Sequence, residues 1–74
     1  MQPLLWTSVD SSALAAVAFH RRVLTVRFRS GKVHSYVGVP EFLYQQLLTA
    51  ESKGSFFNAH IRDAFQHQPF PKTK

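Results

Sequence analysis

The sequence predicts a small α+β domain in which antiparallel strands come first and two helices follow. Three observations predict it. Val23 to Val39 holds two runs of alternating apolar and polar residues joined by Ser30-Gly31, a hairpin signal. From Val39-Pro40-Glu41 the period changes to a helical one, with Phe42, Leu43, Leu47 and Ala50 on one stripe. A chain of 74 residues, 45% of them hydrophobic and seven of them Phe, has apolar material for one packed core.

Each element has its own reason. Residues 1–8 are expected to be a loose arm or a short first strand, with Trp6 packed on the domain or on a neighbour. Asp10-Ser11-Ser12 reads as a turn, because short oxygen-bearing side chains bond nearby backbone N–H groups. A nucleophilic role for these residues needs a positioned base that the neighbouring sequence does not supply. Ala13 to Phe19 is apolar on both alternations, so periodicity alone does not type it; its length and its closing Val17 and Phe19 favour a buried strand. His20-Arg21-Arg22 is then the turn into the next strand.

In that strand Leu24, Val26 and Phe28 share one face, and Val23, Thr25, Arg27 and Arg29 share the other. A two-residue loop at Ser30-Gly31 sets Arg27 opposite His34 and Thr25 opposite Tyr36. A slip of one residue would put Lys32, His34 and Tyr36 on the apolar face, which burial opposes. The first helix starts at Pro40-Glu41, since Pro suits the first helical position and Glu41 the positive end of the dipole. Gly54 is expected to terminate it, and Ser55 to cap a second helix, Phe56 to Phe65, with Phe57, Ile61, Ala64 and Phe65 inward. The organisation expected is an arm over 1–8, a domain over 9–65 and a flexible tail over 66–74.

Charge narrows the function. Nine Lys and Arg against four Asp and Glu give a net charge of +5, and the pI is near 10.3. Such a balance favours acidic partners, nucleic acid first among them. With no cysteine, disulfides, thiol catalysis and cysteine-ligated zinc are excluded. No apolar run is long enough to span a bilayer, neither helix has the basic polar face of a membrane-surface helix, and the first residues do not read as a signal peptide. A cytoplasmic location without membrane contact is the expectation.

The two-residue register would gather Arg27, Arg29, Lys32, His34 and Tyr36 on one sheet face with no carboxylate among them. Like charges opposite one another destabilise a sheet by about 0.2–1 kcal/mol per pair, and an anionic partner would relieve them. Lys and Arg neutralise phosphates and Tyr offers a stacking surface, the combination used by single-strand binders. Solvated basic residues that keep an edge from aggregating are the alternative. A second candidate is an anion site of Lys53, Gly54, Asn58 and Arg62 at the helix junction, against a plain helix stop with a solvated Lys. The histidines His20, His34, His60 and His67 lack metal-ligand spacing, and the carboxylates Asp10, Glu41, Glu51 and Asp63 form no visible pair. No metal, cofactor or catalytic residue is expected.

The order Val9-Asp10-Ser11-Ser12, Leu24 to Phe28, Ser30-Gly31, Tyr36, Val39-Pro40, Leu47, Ala50 to Gly54, Phe57-Asn58 and Ile61-Arg62 resembles the KTSC domain. The resemblance spans roughly Val9 to Phe65, and the block from Ser52 to Arg62 is its most specific part. His34 departs from the pattern, where an aromatic is expected. The KTSC domain is named for its place at the C-terminus of some lysyl-tRNA synthetases, and it also forms short stand-alone proteins. The resemblance implies an Sm-like fold, with a strongly bent antiparallel sheet of three or four strands and two C-terminal helices. By association it also implies proximity to RNA. Together these readings give a non-enzymatic domain that binds RNA or single-stranded nucleic acid weakly through the hairpin's basic face and self-associates. The alternative is a protein-interaction or self-assembly module with no nucleic-acid activity.

Overall fold

A computed structural model of the chain describes residues 5–69. Its elements are β1 (Thr7–Ser8), β2 (Leu14–His20), β3 (Val23–Phe28), β4 (Val33–Val37), α1 (Glu41–Thr49), α2 (Lys53–His60) and β5 (Gln66–Pro69). The five strands form one antiparallel sheet in the order β1-β2-β3-β4-β5. The α+β class and the strands-then-helices order stand as expected. The fifth strand is a correction: Gln66–Pro69 does not fray but pairs with β4, with Gln68 opposite Ser35 and Gln66 opposite Val37. Pro69 is tolerated there because β5 is an edge strand. Residues 70–74 of the expected tail, and residues 1–4 of the expected arm, lie outside the described residues.

The doubly apolar run of β2 is explained by a bulge. Leu14 pairs with Phe28 and Ala16 with Arg27, which leaves Ala15 as an extra residue. The alternation resets there, so Leu14 and Val17, three apart, both point to the core and are fully buried. Phe19 follows on the same side. Ser11 shapes the entry, its Oγ accepting from the N–H groups of Ala13 at 3.1 Å and Leu14 at 3.2 Å. This is the turn the sequence implied.

The hairpin register differs from the expected one. Leu24 lies opposite Tyr36, Thr25 opposite Ser35, Val26 opposite His34 and Arg27 opposite Val33. The loop has three residues, Arg29-Ser30-Gly31, not two. Gly31 N–H donates to Phe28 O at 2.9 Å and Phe28 N–H to Lys32 O at 2.8 Å, and Gly31 takes a φ of +98°. This is a turn followed by a left-handed glycine, a common three-residue hairpin connection. The slip that burial was expected to oppose is the one adopted. Tyr36 accounts for it: its ring is as good a core residue as Val37, so the apolar face accepts either register.

The helices cover the face bearing Val17, Leu24, Val26 and Tyr36, adding Leu47, Phe57 and Ile61 to one core with Val9, Leu14 and Val39. On α1 the inward stripe is Leu43, Tyr44, Leu47 and Leu48, with Tyr44 stacked on Phe19 at 4.6 Å between centroids. Phe42, expected inward, is 66% exposed. Pro40 precedes α1 as its cap in extended conformation. Gly54 is not a terminator. It lies inside α2, which Ser52 caps by accepting from the Ser55 N–H at 3.4 Å, so Ser55 is the donor and not the cap. A Cβ at Gly54 would stand 3.2 Å from the Ala13 Cβ, so glycine lets α2 approach the sheet closely.

Candidate functional site

The register redistributes the five expected face residues. Arg27 alone stays on the face away from the helices, where its guanidinium lies 4.6 Å from the Trp6 ring centroid. That contact answers the expectation that Trp6 packs on the domain. Arg29 belongs to the turn. Its N–H donates to Ala13 O at 2.9 Å and its Nε to Ser11 O at 2.9 Å, tying the hairpin tip to the loop before β2. Lys32 closes the turn, exposed, opposite Phe28. His34 and Tyr36 point to the helix side. The five residues therefore do not share one face: Arg29 and Lys32 lie at the hairpin tip, Arg27 on one face, and His34 and Tyr36 on the other, with Tyr36 opposite Leu24 near the far end.

The other end of β3 is basic as well. Arg21 and Arg22 form the two-residue turn from β2 to β3, both exposed and both left-handed at φ 50° and 66°. Non-glycine residues there cost about 1–2 kcal/mol each. The Arg22 carbonyl accepts from the N–H groups of Gly38 and Val39, each at 2.9 Å, which holds the turn against the loop leading to α1. Between Asp10 and Glu41 the chain has five cations, Arg21, Arg22, Arg27, Arg29 and Lys32, and no carboxylate. Among them the Arg22 and Arg29 side chains donate to carbonyl oxygens and Arg27 lies over an indole.

On the helix side the hairpin and α2 enclose an open cleft of about 380 Å³. Its wall is a chain of rings in edge-to-face contact: Tyr36 to Phe57 at 5.2 Å, Phe57 to Phe28 at 5.5 Å, and Phe28 to His34 at 5.8 Å between centroids. Asn58, Arg62 and Asp63, all exposed, form the polar rim. Tyr36 is 3% exposed, and burial raises its hydroxyl pKa above the ordinary 10.0, with Arg62 lowering it and Asp63 raising it. The phenol is therefore neutral at physiological pH.

The second expected site divides too. Asn58 and Arg62 reach the cleft, whereas Lys53 and Gly54 belong to the other end of α2. Lys53 Nζ donates to Ala50 O at 3.1 Å, and the Ser52 hydroxyl takes the Ser55 N–H that an anion would need. The cleft thus joins His34 and Tyr36 of one expected site to Asn58 and Arg62 of the other. Phe28, Phe57 and Asp63 are the members that sequence reasoning missed. The pair His34/Tyr36 at strand spacing carried the signal on β4, marking one of its faces, whereas Arg62 lies in the turn after α2 and shares no helix face with Asn58.

Among the described residues no three His, Cys, Asp or Glu side chains gather as metal ligands. None of the described helices is long and apolar enough to cross a membrane.

Comparison with known proteins agrees with this architecture. A protein of Tsukamurella paurometabola is 35% identical over 68 residues, covering 89% of this chain and 94% of its own length. The crystal structure of a KTSC domain protein from Yersinia pestis matches with a TM-score of 0.88 at 30% identity, covering 93% of this chain and 100% of that one. The KTSC domain model matches residues 10–65, from the turn before β2 to the residue preceding β5. The chain belongs to the KTSC domain family.

Proposed function

We propose that the protein is a non-enzymatic domain that binds single-stranded nucleic acid, RNA above all, through the basic turns at the two ends of β3. The observation that carries this reading is the charge segregation: five cations and no carboxylate from Ser11 to Pro40. β3 is six residues long, about 20 Å, so Arg21 and Arg22 at one end and Arg29 and Lys32 at the other suit phosphates several nucleotides apart on one strand. Arg27 and Trp6, between them, supply a charged aromatic platform on which a base stacks.

The test is binding of labelled single-stranded RNA at low and at physiological salt, with Arg27→Ala and Lys32→Ala beside the parent chain. Single-strand binding falls with log salt by about 0.7 per phosphate contact, so three or four contacts give a slope of about −2 to −3. Both substitutions lower the affinity. Binding absent at low salt, or insensitive to it, overturns the reading. Exposed Leu5, Val37 and Phe42 favour the assembly module instead, at 84%, 47% and 66% exposure. A self-associated state that persists in high salt, with no RNA bound, would establish it.

A further inference from the structure

We propose that one unpaired base of the bound strand stacks on the Arg27 guanidinium, and that Trp6 is the positioning residue that holds this guanidinium flat. The proposal rests on the nucleic-acid reading above and deepens it. Of the two groups between the basic turns, one meets the base and the other sets its plane. The partner is thereby a strand with unpaired bases, selected by a contact that charge alone does not supply.

The arrangement begins with β2. On the face away from the helices Arg27 lies opposite Ala16 and Thr25 opposite Ala18, and across β2 Ser8 lies opposite Ala16. Trp6, two residues before Ser8, comes to the same face. At this level the strand between Trp6 and Arg27 offers only the two alanine methyl groups, so the indole and the guanidinium meet at 4.6 Å across it. Both alanines are buried, at 6% and 1% exposure, on a face the helices leave uncovered. That is the burial a floor beneath the crossing requires.

A guanidinium stacked on an indole has one face occupied and the other turned outward. Arg27 is exposed and Trp6 only half so, which puts the cation between the ring and the solvent. A base arriving from solvent therefore meets the guanidinium first. Its plane stacks on a base as an aromatic ring does, whereas the ammonium of a lysine is a point charge without a face. From Ser11 to Pro40 no carboxylate competes for it. Arg27 stands two residues, about 7 Å, from Arg29 at the hairpin tip, so the stacked base and a phosphate held at the tip belong to neighbouring nucleotides. Inside a duplex both faces of each base are already covered by its neighbours, and only an unpaired base has a face to give.

The experiment measures binding of two oligonucleotides by the intact protein at low salt, a pentamer of uridine nucleotides and the same pentamer with base-free sugars. The parent chain is compared with Arg27→Lys, Trp6→Leu and Trp6→Phe. The parent is expected to bind the uridine pentamer about tenfold more tightly than the base-free one, the effect of one stacked base. Arg27→Lys keeps the charge; it loses that factor with the uridine pentamer and nothing with the base-free one. Trp6→Leu does the same without touching a charge, and Trp6→Phe, which keeps a flat ring, recovers most of it. In the parent the Arg27 Nε–H resonance moves upfield with the uridine pentamer alone, because it comes to lie over the face of a base. Equal affinity of the parent for the two pentamers overturns the proposal and leaves the general reading standing. So does an Arg27→Lys or Trp6→Leu chain that matches the parent on both pentamers or weakens on both alike. No binding of either pentamer overturns the strand reading and the proposal with it.

Discussion

The two turns of the sheet solve one problem in opposite ways. Both must reverse an antiparallel strand against its right-handed twist, which calls for left-handed backbone. The β3–β4 turn spends three residues and puts glycine at the left-handed position, where Gly31 has no atom near its missing Cβ. The β2–β3 turn spends two and forces both onto arginines. Nothing about Arg suits that conformation. What holds it is the pair of hydrogen bonds to the Arg22 carbonyl, and what it delivers is two exposed cations at a fixed place. One turn follows the chain's conformational preference, and the other sets that preference aside and leaves two cations exposed. Strained backbone of this kind persists where the surroundings over-determine it and a function gains from it.

The largest effect tests the compliant turn. Gly31→Val places a β-branched side chain at φ +98°, and denaturant unfolding should show a loss of about 2 kcal/mol or more with no steric clash to blame. The strained turn answers in the other direction. Arg21→Asn with Arg22→Gly supplies the residues its geometry prefers, and the midpoint of unfolding should rise by the equivalent of about 1–2 kcal/mol. A fall would mean that the arginine side chains themselves hold the turn.

The register set by the Gly31 turn has a consequence of its own. It places Thr25 opposite Ser35, both buried, with their hydroxyl oxygens 3.1 Å apart. Ser35→Ala leaves the Thr25 hydroxyl without this partner, at a cost of about 1 kcal/mol. Thr25→Val in the same chain restores most of it. A double-mutant cycle with no coupling would contradict the register.

The smallest effect is in alkali. The Tyr36 pKa is raised above 10.0 by burial in the folded chain, so the phenol ionises first in the unfolded one. Its protonated state favours folding fully below that value, and the advantage is lost as pH rises past it. The stability difference between the parent and Tyr36→Phe should therefore be level below about pH 10 and move in favour of the variant above it.

The same comparison shows what the sequence could disclose. Alternation assigned Leu24, Val26 and Phe28 to the core, and Arg21-Arg22 stood plainly between two strands. The hairpin register stayed hidden because Ser30-Gly31 serves a two- or a three-residue loop, and Tyr36 and Val37 are both acceptable inside. Gly54 misled for a related reason. Glycine stops helices, yet here its missing side chain lets α2 meet Ala13. β5 escaped notice because Gln66-His67-Gln68-Pro69 has neither alternation nor β-branched residues, and its place is fixed by pairing with β4. The cleft joins residues about thirty positions apart, so only the fold could assemble it. The cations were legible from the start, and their distribution around β3 was not.

A strained basic turn that serves an anionic strand must show itself in binding when the strain is removed. The most direct measurement is the affinity of Arg21→Asn/Arg22→Gly for single-stranded RNA across a salt series, beside its unfolding midpoint. The expected result is a more stable protein that binds several-fold more weakly, with the salt slope shallower by about 1.4 for two lost contacts. An unchanged affinity and slope would contradict it.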